Sequence, residues 1–201
     1  PVARGCALQG WTPMPFHRST WRAHLDGRSG LIQVPTGSGK TYAAVMGSIA
    51  RMLESPSQQR GVRLLYITPL RALSRDLALA IQDPIDAMQW PLRVAIRNGD
   101  TPTAGRSRPI NAPPEILITT PESLCVLLAG RHCERLFQTL DTVILDEWHE
   151  LIGSKRGIQA ELALSWLRQQ RPSLQTWAIS ATIGNLEESA RHALGDRCDP
   201  C

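Results

Sequence analysis

The sequence lacks a long apolar run and an amino-terminal leader. No uninterrupted apolar stretch approaches the roughly 18 residues of a membrane-spanning helix, although hydrophobic residues make up an ordinary 42% of the chain. The chain opens at Pro1 without the basic and then apolar segment of a secretory signal. We therefore expect a cytoplasmic protein that has no membrane partner.

Cysteine is scarce and poorly spaced for a disulfide framework or a metal site. Cys6, Cys125 and Cys133 are scattered along the chain, and we interpret them as reduced, structural thiols. Cys198 and Cys201 form one C-x-x-C, but a structural zinc site normally needs a second pair, which this sequence lacks. Internal repeats and low-complexity segments are missing as well, and a length of 201 residues favours one domain over two.

Charge of one sign is present in only slight excess. Lys and Arg number 22 against 18 Asp and Glu, which gives a formal net charge of +4. A balance this mild fits a nucleic-acid partner and a metabolic enzyme equally well. The class of protein must therefore come from motifs.

A loop of small residues follows the first apolar run, Leu31–Val34. The loop reads Pro35-Thr36-Gly37-Ser38-Gly39-Lys40-Thr41. Small residues let backbone N–H groups surround a polyphosphate, Lys40 can reach the β- and γ-phosphates, and the Thr41 hydroxyl can bind Mg²⁺. We therefore predict that residues 36–41 bind a nucleotide. The full pattern has a glycine where this chain has Val34, so the loop alone leaves the class of NTPase open.

Short β-rich runs alternate with helical patterns along the chain. The runs are residues 31–34, 62–68, 92–97, 115–119, 142–146 and 175–180. This alternation predicts an α/β fold with a mostly parallel central sheet and helices on both faces. Apolar residues at helical spacing predict two of those helices: Leu70, Leu73, Leu77, Ala80 and Ile81 mark one, and Ile158, Leu162, Trp166 and Leu167 mark the other. We expect both helices to cover the sheet, and Pro84 to end or kink the first.

Two neighbouring carboxylates, Asp146 and Glu147, follow the apolar run 142–145. This places them at the carboxyl edge of a parallel sheet, where ligands bind. Asp146 is suited to binding Mg²⁺ together with Thr41, and Glu147 to deprotonating an attacking water beside Lys40. An isolated Asp-Glu pair is more often a solvated strand end, and the Lys40 loop is what favours the catalytic interpretation.

Hydroxyl side chains follow the last β-rich run, in Ser180-Ala181-Thr182. At the same sheet edge, they can contact the segment from Asp146 to His149 or sense a γ-phosphate. The triplet alone is also typical of a helix N-cap ahead of Asn185. The triplet indicates a function only because it follows the other motifs in order.

Taken in order, five motifs resemble the motor core of superfamily-two DEXH-box helicases. They are Pro35–Thr41, Thr68–Leu73, Thr119–Ser123, Asp146–His149 and Ser180–Thr182. Longer segments are similar to the large helicase-related (Lhr) branch, and within it most of all to the bacterial DNA-ligase-associated DEXH-box group: Asn98–Pro102, Asp146–Gly157 and Ser180–Leu186. The resemblance covers nearly the whole chain, from about Gly10 to about Leu194.

This resemblance implies a RecA-like P-loop NTPase domain over residues 1–201, with residues 1–29 as an upstream adenine-recognition segment. ATP and Mg²⁺ would be its cofactors, and DNA, single-stranded or tailed duplex, or else RNA, its partner. It also implies work in DNA repair beside a ligase and a nuclease. The second RecA-like domain of such motors, which supplies arginine fingers, is absent from these residues, so we expect one lobe of a longer protein that binds nucleotide but hydrolyses it poorly alone.

The resemblance also implies roles for individual residues. Contacts to the nucleic-acid backbone fall on Arg71, Asn98, Gly99, Asp100, Thr120, Pro121 and Glu122. His149, Ser180 and Thr182 would link the state of the bound ATP to the motif Ser180–Thr182. We expect His149 to hydrogen-bond Ser180 or Thr182. His17 stands where the family usually has an adenine-reading glutamine, which puts strict preference for ATP in doubt.

Several residues keep a simpler interpretation. Arg71 and Arg75 share a helical face in the prediction, and both can be merely solvated or paired with Asp76. His17 can be a surface histidine at the start of a helix. Trp148 is expected to pack in the core without a chemical role.

Two other functional classes remain open. The chain can be a catalytically silent module that binds nucleotide and nucleic acid. It can also be an unrelated P-loop enzyme acting on a small molecule, which the segments around Arg71 and Thr120 disfavour.

Overall fold

Strands and helices alternate along the chain in the computed structural model, which describes residues 12–35, 37–57, 59–99, 112–181 and 193. The strands are β1 (Gly30–Gln33), β2 (Leu64–Ile67), β3 (Val94–Arg97), β4 (Ile116–Thr119), β5 (Thr142–Leu145) and β6 (Gln175–Ser180). The helices among these residues are α1 (Pro15–Leu25), α2 (Lys40–Glu54), α3 (Ser74–Ala87), α4 (Pro121–Leu128), α5 (Cys133–Phe137), α6 (Trp148–Leu151) and α7 (Lys155–Gln170). The predicted roles of Thr36, Asp100 and Thr182 lie outside the described residues, as do Cys6, Cys198 and Cys201.

The strands form a single six-stranded sheet in the order β1-β6-β5-β2-β4-β3. Every neighbouring pair is parallel, so the predicted α/β fold is confirmed and the described sheet is parallel throughout. All six predicted strands are present, although β2 and β3 begin two residues later than their apolar runs. Because parallel strands all end at one edge, the motifs that follow them meet there.

Helices cover both faces of the sheet, as the sequence predicted. On one face, Leu65, Val143 and Ala178 point towards α4, α5, α6 and α7. On the other, Tyr66 and Ile144 point towards α1, α2 and α3. The four central strands are buried on both faces, which explains why β2, β4 and β5 are mostly apolar.

Helix α1 packs closely on α2 through a glycine. A β-carbon added at Gly47 would lie 2.6 Å from the His24 β-carbon, so only glycine admits this approach. The His24 ring stacks on Trp177 of β6 at a centroid distance of 4.3 Å, and burial lowers its pKa to about 3. His24 is therefore a neutral core residue that fixes α1 against the sheet.

Arg63 closes the amino edge of the sheet, just before β2. Its Nε donates to Asp141 Oδ2 at 2.8 Å, and its guanidinium also donates to the carbonyls of Ser55 at 2.8 Å and Met52 at 3.2 Å. One side chain thus connects the starts of β2 and β5 to the end of α2. No helix in the described part of the chain combines the length and apolarity needed to cross a membrane.

Helix α3 continues through Pro84 to Ala87, so of the two predicted effects, an end or a kink, the proline does not end the helix there. Pro84 has no N–H to donate to the carbonyl of Ala80 one turn earlier. The Tyr42 hydroxyl of α2 donates to that carbonyl instead, at 3.2 Å. A side chain from the neighbouring helix therefore replaces the missing backbone hydrogen bond.

The predicted buried faces of α3 and α7 are only partly correct. Leu77 and Ile81 of α3 do pack on the sheet, but Leu70 and Leu73 precede the helix and are 39% and 45% exposed. In α7, Leu167 is buried and Trp166 packs against the core, whereas Ile158 and Leu162 are 56% and 67% exposed. Small residues occupy the buried face of α7 instead: Gly157, Ala160 and Ala163. Close helix packing therefore favoured small residues over large ones at these positions.

We predict that Tyr42→Phe destabilises the domain by about 1 kcal/mol, because it leaves the Ala80 carbonyl without its side-chain donor. Urea denaturation followed by circular dichroism measures this loss. An unchanged free energy of unfolding would mean that solvent satisfies the Ala80 carbonyl equally well.

Candidate nucleotide-binding site

The loop after β1 has the backbone of a phosphate cradle. Gly37 and Gly39 both adopt φ of +83°, in the left-handed region that favours glycine. The Ser38 hydroxyl donates to the Pro35 carbonyl at 2.7 Å and tightens the turn. Gly39 caps α2, so the first amide groups of a fifteen-residue helix point towards the loop. This arrangement favours an anion at the loop.

Lys40 has the environment expected of a residue whose ammonium group binds a phosphate. Its side chain is 9% exposed, and Nζ makes no hydrogen bond with any described residue. Glu147 Oε1 lies 3.6 Å away, which is an ion pair but too long for a hydrogen bond. A buried ammonium group requires acceptors, and the oxygens of a β- or γ-phosphate would supply them. The residues present therefore fit a polyphosphate.

Asp146 lies at the carboxyl end of β5, where its N–H donates to the Ile67 carbonyl at 2.8 Å. Burial and the adjacent Glu147 carboxylate raise the pKa of Asp146 from its usual 3.8 to about 6. The nearby Tyr66 hydroxyl, the hydrogen bond from the Glu147 backbone N–H and the charge of Lys40 act in the opposite direction. The carboxylate of Asp146, whose ionisation is costly, lies beside the Tyr66 hydroxyl, which is also close to Thr41. Such a carboxylate is suited to binding a divalent cation.

Glu147 adopts a strained backbone conformation. Its φ and ψ are +44° and +48°, in the left-handed region that side chains other than glycine rarely occupy. This conformation turns the chain sharply from β5 into α6 and presents the carboxylate between Lys40 and His149. Glu147 Oε2 lies 3.5 Å from His149 Nδ1. Trp148, on the other side of the turn, is fully buried, as predicted.

His149 and Ser180 share a hydrogen bond of 3.0 Å between Nδ1 and Oγ. The contact predicted from the sequence is therefore confirmed for Ser180. It joins the turn after β5 to the end of β6, and its histidine also faces Glu147. A change at the carboxylate can thus reach the next strand through one imidazole ring.

His17 is buried and not at the surface, so the surface interpretation is wrong. Its Nδ1 accepts the Met14 N–H at 3.2 Å, and Nε2 donates to the Gly39 carbonyl at 3.2 Å. Burial lowers the pKa of His17, with the Gly39 hydrogen bond acting against this shift. The neutral ring therefore ties α1 to the phosphate loop.

Those predicted nucleic-acid residues that the structure describes follow strands at the same sheet edge. A β-carbon added at Gly99 would lie 2.7 Å from an Arg71 guanidinium nitrogen, so Arg71 lies directly against the segment after β3. Asn98 is buried beside it, 8% exposed. Arg71 precedes α3, so the prediction that it shares a helical face with Arg75 is wrong.

The turn into α4 is rigidly held. Thr120 and Pro121 are buried, and the Thr120 hydroxyl accepts the Ser123 N–H at 3.4 Å. Glu122 Oε1 pairs with Arg156 Nε at 2.7 Å, and Arg156 also donates to the Pro69 carbonyl at 3.3 Å. Arg156 therefore connects two of the predicted contact segments.

Sequence reasoning missed two residues of this edge. Arg156 lies in the segment Asp146–Gly157, and its distance along the sequence from Glu122 does not indicate a contact before the fold is known. Tyr66 lies in β2 among apolar residues, where its hydroxyl is the one clue.

The loop, the paired carboxylates and the parallel sheet define a P-loop nucleotide-binding domain of RecA-like fold. Residues 14–189 match the DEAD/DEAH box helicase family, and the chain belongs to that family.

Individual relatives agree with this assignment. The chain is 37% identical to the Lhr helicase/uracil glycosylase of Escherichia coli, over 98% of this chain and 14% of that protein. It is 35% identical to the ATP-dependent helicase Lhr-Core of Methanothermobacter thermautotrophicus, over 93% of this chain and 22% of that protein. The resemblance to the Lhr branch is therefore confirmed. The chain spans only about a seventh to a fifth of these relatives.

Solved structures show the same fold. The Mycobacterium smegmatis helicase Lhr bound to single-stranded DNA and AMP-PNP superposes with a TM-score of 0.87 at 33% identity, over 98% of this chain and 26% of that one. Mss116p bound to single-stranded RNA and AMP-PNP gives a TM-score of 0.86 at 18% identity, over 96% of this chain and 40% of that one. The second likeness is one of fold alone.

We predict that Asp146→Asn stabilises the nucleotide-free chain at neutral pH. The folded-state pKa lies above the unfolded-state value, so this group favours folding below about pH 3.8 and loses that contribution as the pH rises through about 6. At pH 7.5 the ionised carboxylate then costs on the order of 3 kcal/mol. Chemical denaturation in EDTA should show a gain near this size at pH 7.5 that shrinks towards pH 4.

Asp83→Asn, at an exposed position of α3, is the matched control and should change little at either pH. The same gain for Asp146→Asn at every pH would contradict the burial of an ionised carboxylate.

Proposed function

We propose that this chain is the ATP-binding motor lobe of an ATP-dependent helicase or translocase that moves along DNA. The observation that carries the proposal is the buried Lys40 ammonium, which has no hydrogen-bond acceptor among the described residues and faces the Asp146–Glu147 pair from a helix N-terminus. The Lhr relatives, named as ATP-dependent helicases, and the Lhr structure with single-stranded DNA and AMP-PNP support it.

In this proposal the amides of residues 36–41 and Lys40 hold the β- and γ-phosphates. Thr41 and Asp146 would hold Mg²⁺, which would supply positive charge beside the transferring phosphoryl group. The γ-phosphate takes over from Glu147 as the counter-ion of Lys40, because Lys40 gains hydrogen bonds that the 3.6 Å pair does not provide. Glu147 is then available to orient and deprotonate the attacking water.

Coupling uses His149 in the same proposal. When Glu147 moves from Lys40 to the water, its distance to His149 changes, and the hydrogen bond of His149 to Ser180 carries that change to β6. Thr182, beyond the described residues, is proposed as the second hydroxyl of this connection. His17 is proposed to position the loop and to lie beside the base.

Nucleic acid is proposed to bind along the edge formed by Arg71, Asn98, Gly99 and the turn Thr120–Glu122, with Asp100 adjoining them. Because Thr120 and Pro121 are buried, the contacts of that turn would come from backbone amides. Such contacts address phosphates, so binding should tolerate any base sequence. DNA is the proposed partner, and RNA is the alternative.

Further parts of the proposal rest on the resemblance alone. They are a second RecA-like domain that completes the ATP site, membership of the DNA-ligase-associated group, a place in DNA repair beside a ligase and a nuclease, and a cytoplasmic location.

The proposal predicts a split between two variants in ATP binding and turnover. Lys40→Ala should weaken Mg²⁺–ATP binding at least about tenfold, because a charge-assisted contact to phosphate is lost. Glu147→Gln should keep binding and lower DNA-stimulated turnover about 100-fold or more. Isothermal titration and phosphate release with and without single-stranded DNA measure both effects.

Absence of nucleotide binding by the unaltered chain would rule the proposal out. Binding without turnover, even when DNA is present, would favour a catalytically silent module or a lobe that needs its partner domain.

DNA binding provides an independent prediction. Arg71→Ala should weaken single-stranded DNA binding for all sequences and reduce the slope of log K against log[salt] by about 0.7, as expected for one lost phosphate contact. Arg60→Ala, an exposed arginine ahead of β2 at the opposite edge of the sheet, is the matched control. Fluorescence anisotropy over a salt series measures both, and equal effects of the two variants would place the DNA elsewhere.

A further inference from the structure

Tyr66 carries an unexplained buried hydroxyl. Its side chain is completely buried in the middle of the sheet, and Oη makes no hydrogen bond of good geometry with any described residue. Burying a polar group without a partner is unfavourable, and phenylalanine would fill the same space without that penalty. A purely structural role therefore does not account for the hydroxyl.

The register of the sheet aims this hydroxyl at the nucleotide site. Tyr66 pairs with Ile144 of β5, and both side chains pack on the face covered by α2. Asp146 follows two positions after Ile144 and so faces the same side. Helix α2, which covers that face, begins at Lys40 and Thr41. The phenol is consequently close to both the Asp146 carboxylate and the Thr41 hydroxyl.

The hydroxyl is available as a donor. A tyrosine phenol is protonated at physiological pH, because its ordinary pKa is about 10. A protonated phenol beside a carboxylate donates to it.

We propose that Tyr66 is a positioning residue for the metal-binding pair of this site: its hydroxyl donates to the Asp146 carboxylate and holds it towards Thr41 in the geometry that Mg²⁺ with bound nucleotide requires. The inference rests on the proposed function, since it assumes that Thr41 and Asp146 bind Mg²⁺. Partners that orient a metal-binding carboxylate commonly change metal affinity when they are removed.

The test measures how nucleotide binding depends on Mg²⁺ in Tyr66→Phe. Affinity for a non-hydrolysable ATP analogue is measured by isothermal titration over a series of Mg²⁺ concentrations and in EDTA. The Mg²⁺ concentration for half-maximal enhancement should rise about tenfold in the variant. Affinity in EDTA should be unchanged, because the loop and Lys40 are untouched.

Tyr42→Phe is the matched control, because it removes the other tyrosine hydroxyl of the chain. This variant should be less stable than the unaltered chain and keep its Mg²⁺ dependence. Tyr66→Phe should show the opposite pattern, with undiminished stability and altered Mg²⁺ dependence. A structural role for Tyr66 would instead lower stability or weaken binding equally with and without Mg²⁺, and either result overturns the proposal.

A second measurement leaves Tyr66 intact. The chain has two tyrosines, so ¹³Cζ-tyrosine labelling gives two resonances, which Tyr42→Phe assigns. Adding Mg²⁺ to nucleotide-saturated protein should shift the Tyr66 resonance and leave that of Tyr42 in place. An unmoved Tyr66 resonance overturns the proposal while leaving nucleotide binding established, whereas failure of the unaltered chain to bind any nucleotide overturns the proposed function with it.

Discussion

The common direction of the strands is the constraint on which the rest of the structure depends. Because every described strand pairing is parallel, the chain leaves the sheet at the same edge after each strand. Lys40, Asp146 and Ser180 come from distant parts of the sequence and meet there because β1, β6 and β5 are neighbours. The order of strands, more than any single contact, therefore assembles the candidate site.

Several residues of the nucleotide-free site are in energetically unfavourable states. Glu147 has a left-handed backbone, Asp146 ionises only at a cost, and Lys40 and Tyr66 bury polar atoms without hydrogen-bond partners among the described residues. Phosphate would supply acceptors to Lys40, and a divalent cation would offset the negative charge of Asp146. Ligand binding should consequently stabilise this edge much more than the remainder of the fold.

The sequence predicted the strands, both covering layers and the meeting of the Lys40 loop with Glu147 at one edge, because these follow from local patterns. Apolar runs predict strands that are buried on both faces, and a motif that follows a parallel strand must lie at the carboxyl edge of the sheet. It failed where a distant side chain decided the outcome. Tyr42 lets α3 pass Pro84, and close packing in α7 favours Gly157 and Ala160 over Ile158 and Leu162. The burial of His17 and the place of Arg156 likewise depend on tertiary contacts that no spacing encodes.

Arg63 gives the domain a mechanical asymmetry. Its bonds to Asp141, Ser55 and Met52 clamp the amino ends of two central strands to the far end of α2. The opposite end of α2 carries the phosphate loop. A helix that is held at one end and binds a ligand at the other can move mainly by tilting about the held end. Small displacements at the loop would thus be passed sideways to α1 and α3, while the clamped edge remains a stationary base.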